Sequence, residues 1–103
     1  MENKVHGVNK HINRATITMM EKYHWVAKQS HSKNRDKIMS MCERGINTPD
    51  MHTDKMSRWL GFIQGVLYAD GLLNVKMERD TSRKLFHDAY QKSGIEIPDS
   101  ITI

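Results

Sequence analysis

The residues best suited to chemistry lie between positions 23 and 37. Lys28, Lys33, Arg35 and Lys37, with His31 among them, put four formal cations and a histidine into ten residues. Gln29, Ser30, Ser32 and Asn34 stand between them. Arg and Lys bring charge to phosphate oxygens, and small polar side chains add short hydrogen bonds. Tyr23 and Trp25, just upstream, offer ring faces on which bases stack. A second basic group, Arg79, Arg83 and Lys84, lies further along the chain. The pattern suits an anion or nucleic-acid site, and it strengthens if the two groups meet in space. The competing reading is a polar turn, with Tyr23 in the core and Trp25 half-buried.

Charge placement agrees with the first reading. The chain of 103 residues carries 16 Lys and Arg against 12 Asp and Glu, a net +4. Residues 1–46 hold nine cations and four acids, and residues 47–103 hold seven and eight. The basic character therefore belongs to the N-terminal half, which suits nucleic acid, a nucleotide phosphate or an acidic protein surface.

Other chemistry finds little support. The six histidines form no HExxH pattern and no Cys/His cluster of metal-ligand spacing. Cys42 sits beside Met41 on an apolar helix face, where a small core residue is expected rather than a nucleophile. Glu78 and Asp80 are too close in sequence to oppose each other across a helix. The glycines lack the spacing of a phosphate loop. The expectation is a protein that is not an enzyme and needs neither metal nor cofactor.

The elements that must position these residues read as helices. Val8, Ile12, Ala15, Met19, Tyr23 and Val26 line one face of a first helix over 8–28, with Asn9 or Asn13 as its cap. QSHSKN, residues 29–34, breaks the pattern as a turn. A short helix over 35–44 buries Ile38, Met41 and Cys42 and ends on Gly45 as a left-handed C′ residue. A third helix over 54–70, capped by Thr53 or Asp54, carries the most apolar stripe: Met56, Trp59, Leu60, Ile63, Val66 and Leu67. Gly61 and Gly65 fall four apart on an adjacent face. Each glycine costs roughly 1 kcal/mol against alanine inside a helix. The expected compensation is close approach by another backbone, with Trp59, Gly61 and Gly65 as packing residues of a central helix. Gly71 ends that helix, Asn74 caps a fourth over 75–92, and residues 95–103 form an extended tail around Pro98. The fold expected is all-α, a single-domain bundle of about four helices, and chains of this size commonly associate to bury more surface. One cysteine leaves no intrachain disulfide. No apolar run reaches the roughly 20 residues that span a bilayer, and MENKVHGVNK does not read as a signal peptide. The expected setting is cytoplasmic, without a membrane partner.

Residues 58–90, RWLGFIQGVLYADGLLNVKMERDTSRKLFHDAY, resemble a box found in small, mostly uncharacterised accessory proteins of tailed phages. Arg58, Trp59, Gly61, Gln64, Gly65, Glu78, Arg79, Asp80, Arg83, Phe86 and His87 stand where that pattern has them. Lys76 and Lys84 replace residues that are more often acidic or proline there, so the last helix is more basic. The resemblance covers about a third of the chain and brings no catalytic residues. It implies a phage protein in the host cytoplasm that antagonises a host defence factor or toxin by binding it. With the basic face, the expected partner is a host protein with bound RNA. Two alternatives stand beside it: direct inhibition of a host enzyme without nucleic acid, and a homo-oligomer that sequesters a cyclic nucleotide.

Overall fold

The computed structural model describes residues 7–94. They form four helices: α1 Lys10–Gln29, α2 Arg35–Ile46, α3 Thr53–Ala69 and α4 Val75–Lys92. The all-α bundle expected from periodicity is the fold. The tail expected over 95–103 lies outside the described residues.

Local chemistry sets the helix ends. The Asn9 side chain accepts from the backbone N–H groups of His11 and Ile12, and the Asn74 side chain accepts from that of Met77, as N-caps do. Gly71, at φ +74°, closes α3 in the left-handed region expected of a C′ glycine. Two ends differ from expectation. Helix α2 runs through Gly45 to Ile46, and Gly45 does not take positive φ. Helix α3 begins at Thr53 with His52 at the cap position and no side-chain cap bond, and the Thr53 hydroxyl is used elsewhere. It accepts from the Asn9 N–H at 2.7 Å and donates to the Asn13 side-chain oxygen Oδ1 at 2.8 Å. Asn13, a cap candidate in the sequence, is buried instead. Its amide nitrogen donates to the Pro49 and Met51 carbonyls at 2.9 and 2.8 Å, which fastens the α2–α3 connector to α1.

Helix α1 packs against each of the other three helices, and α4 is held almost entirely by α1. The organising position thus falls to α1, while α3 supplies one wall of the core. That core joins Met19, Met20, Tyr23 and Ala27 of α1, Ile38 and Cys42 of α2, and Met56, Leu60, Ile63 and Leu67 of α3. A smaller cluster, Ile12, Ala15 and Ala89 with Leu85, Phe86 and Tyr90 against it, fixes the far end of α4. Burial of these apolar side chains is the main stabilising contribution, at roughly 1.5–3 kcal/mol for each large one.

The close approach attributed to Gly61 and Gly65 is corrected by the structure. A Cβ at either position would meet nothing within 4 Å. Of the glycines inside helices, the crowded one is Gly45, where a Cβ would lie 2.3 Å from Met20 Sδ. Gly45 makes room for the end of the Met20 side chain where α2 packs against α1.

Candidate nucleic-acid interface

The basic segment is built by the C-terminal turns of α1, the loop 30–34 and the first turn of α2. Ser30 closes α1 by donating its hydroxyl to the Ala27 carbonyl at 2.7 Å. The Ser32 hydroxyl, which accepts from the Asn34 N–H, donates to Asp70 at the end of α3, and the Asn34 amide donates to the same carboxylate at 3.3 Å. The loop is therefore tied to α3 by side-chain bonds. The Ser32 hydroxyl, then the Asn34 amide and Lys33, hold the Asp70 carboxyl below its ordinary range.

The candidate residues separate into two sets. Lys28, His31 and Lys33 are exposed. Trp25 is 63% exposed and sits one helical turn before Lys28. These four share one end of the bundle. Arg35 is occupied locally, donating to the Lys28 carbonyl at 3.2 Å and pairing with Asp36 at 2.7 Å. Lys37 lies over the Phe62 ring at 5.4 Å, so its ammonium covers an aromatic face of α3. Tyr23 is fully buried and offers no stacking face. The stacking role expected of Tyr23 is thus corrected, and Trp25 alone retains it. Trp59 packs half-buried against the core, with Arg44 and Lys55 over its ring at 5.9 and 5.5 Å.

Arg79, Arg83 and Lys84 lie exposed on α4. Lys84 enters a surface groove between α4 and α1 together with Thr18 and Lys22. That groove meets α1 at Thr18, Met19 and Lys22, six or more residues before Lys28, so Lys84 does not join the loop cluster.

A feature not foreseen from the sequence lies beside Tyr23. Its hydroxyl donates to Glu78 Oε1 at 2.8 Å and accepts from Gln64 Nε2 at 2.9 Å. Lys22 Nζ donates to Glu78 Oε2 at 2.5 Å. Glu78 is 5% exposed and Gln64 7%, so a carboxylate and an amide sit inside the bundle with partners from α1. Such a charge is tolerated only when paired and hydrogen-bonded. Burial first, against the lowering influence of the Gln64 amide and with Glu78 adding to the rise, pushes the Tyr23 phenol far above its usual range. It is a donor at all ordinary pH values. Above this network a cleft of about 280 Å³ opens between α3 and α4, lined by Gly61, Gln64, Gly65, Tyr68, Leu73, Val75 and Glu78. Glu78 stands on the apolar face of α4 in the sequence, and a charged residue in that register was the available signal.

Among the described residues no cluster of three or more His, Cys, Asp or Glu is placed to hold a metal ion. His24 pairs with Glu43 at 2.7 Å across α1 and α2. Burial pushes the Cys42 thiol up to about 12, with Glu43 adding to the rise, which leaves it unreactive at neutral pH. None of the helices described is long and apolar enough to cross a membrane. No family model, curated protein or solved structure matches the chain.

Proposed function

We propose that the chain is a non-enzymatic binding protein that engages single-stranded RNA, or a partner carrying it, through the end of α1. The observation that carries this reading is the exposed Trp25 indole one turn from Lys28, beside a tethered loop that presents His31 and Lys33. An exposed ring next to cations is the arrangement on which unpaired bases stack while phosphates are neutralised. The interface is narrower than the sequence pattern, since Arg35 and Lys37 are engaged within the chain. The phage resemblance gives the proposal its setting: an accessory protein in the host cytoplasm that blocks a defence factor or toxin, with RNA as part of the contact.

Fluorescence anisotropy with a labelled single-stranded RNA tests the proposal. Trp25→Ala should weaken binding roughly ten-fold, as expected when one base loses its stacking partner. Lys28→Ala with Lys33→Ala should reduce the salt dependence, by about 0.7 in the log–log slope for each phosphate no longer neutralised. Affinity unchanged in both variants would remove this surface from the function. A host partner captured equally well after RNase treatment would point to direct protein inhibition.

A further inference from the structure

Helix α3 presents an exposed stripe that nothing in a single copy covers. Arg58, Gly61, Gly65 and Tyr68 follow at steps of three, four and three, which is one helical face. All four are exposed, Tyr68 at 58%. Two glycines in mid-helix carry a propensity cost, and the space above both is open. The cleft beside them holds an unused acceptor. Gln64 spends its amide nitrogen on Tyr23, while its carbonyl oxygen faces the open cleft and takes no donor among the described residues. Arg58 in turn makes no hydrogen bond, ion pair or ring contact among the described residues.

The stripe is symmetric about Ile63. Gly61 and Gly65 lie two residues to either side of it, and Arg58 and Tyr68 five to either side. We propose that the chain forms a twofold homodimer through antiparallel α3 helices, with Gly61 against Gly65 of the second copy. In that register Arg58 of each copy lies level with Tyr68 of the other, at the mouth of the other's cleft. A twofold interface requires a self-complementary patch, and this stripe is one. It has a cation at one end, an aromatic ring beside a carboxylate and a free carbonyl oxygen at the other, and a surface without Cβ atoms between. The glycines let the helix axes come closer than the usual 8–10 Å. The guanidinium gains the Tyr68 ring face and the Gln64 carbonyl oxygen, a ring contact and a charge-assisted hydrogen bond. The second copy thus completes the cleft with a residue the first cannot supply. The interface is independent of the RNA proposal, which uses the end of α1.

Sedimentation equilibrium of the full chain tests it. The wild type should show twice the 12.0 kDa chain mass. Gly65→Leu should give the single-chain mass with an unchanged circular dichroism spectrum, since the leucine has open space in one copy. The register is tested by oxidising the double variant Arg58→Cys/Tyr68→Cys. Ten residues along a helix separate the two sulfurs by about 15 Å, beyond intrachain disulfide reach. A disulfide-linked dimer should therefore form in the double variant and not in either single one. A wild type that stays single at millimolar concentration, a Gly65→Leu variant that still pairs, or a double variant that fails to cross-link would each overturn the proposal. So would a single-copy wild type that loses a different protein partner on Gly65→Leu, which would assign the face to that partner.

Discussion

Two side chains show how far burial governs reactivity in this chain. Cys42 is fully buried, and its thiol is pushed from the usual value of 9.0 up to about 12. A group whose folded value is raised stabilises the fold fully below its unfolded value, and that stability is lost as pH rises toward the folded one. The urea midpoint should hold up to about pH 9 and then decline toward pH 12, at up to about 1.4 kcal/mol per pH unit from this group. Cys42→Ala should flatten part of the decline, and Tyr23, raised in the same direction, should retain the rest. A profile level to pH 11 in the wild type would refute the assignment. Ser82 offers the complementary case. Its hydroxyl is the one buried side-chain polar atom without a partner among the described residues. Ser82→Ala therefore removes a desolvated group and no bond, and should leave stability unchanged or raise it by up to about 1 kcal/mol. A decrease of that size would reveal a partner, and denaturant melts of the two proteins decide.

Glycines separate what is legible at the level of a helix from what is not. The periodicity of α3 correctly assigns Met56, Leu60, Ile63 and Leu67 to the core, because a stripe at 3.6-residue spacing has only one way to be buried. The same string cannot say what faces Gly61 and Gly65, since absence of a side chain carries no record of a neighbour. Gly45 reads as a helix terminator in the sequence, yet α2 continues through it, and Met20 of α1 occupies the space a Cβ would need. Gly45→Ala should destabilise by about 1–2 kcal/mol, overpacking at Met20 outweighing the gain in helix propensity. Gly61→Ala and Gly65→Ala should each stabilise by up to about 1 kcal/mol in protein dilute enough to be single copies. Urea melts at matched slope check the contrast, and equal effects at all three positions would contradict the packing described. The basic loop follows the same logic. Its charges are visible in the sequence, but the Asp70 tether, 36 or more residues away, is not.

Across the whole molecule, α1 is shared by two assemblies of unequal strength. Helices α2 and α3 close the main core against it, whereas α4 adds to that core with the partly buried Leu85 and Phe86 and is held besides by the small Ile12, Ala15 and Ala89 cluster and the Glu78 network. Periodicity places Tyr23 on a core face correctly but carries no sign that its hydroxyl anchors a carboxylate 55 residues later. A pairing between distant polar residues leaves no periodic trace. The energetic consequence is local. Tyr23→Phe keeps the ring in the core and takes one of the two donors from a buried carboxylate. Leaving a charged acceptor short of a donor costs about 1–3 kcal/mol or more. The cost should fall on the docking of α4, with α2 and α3 still joined to α1 through the main core. Native-state hydrogen exchange should show α4 amides accelerated in Tyr23→Phe, with those of α2 little changed. Glu78→Gln, which removes the charge but keeps an acceptor for Tyr23, should be milder when combined with Tyr23→Phe than the separate effects predict, by a coupling of about 0.5–3 kcal/mol. Uniform acceleration across all four helices, or a coupling of zero, would mean that α4 is held by something other than this network.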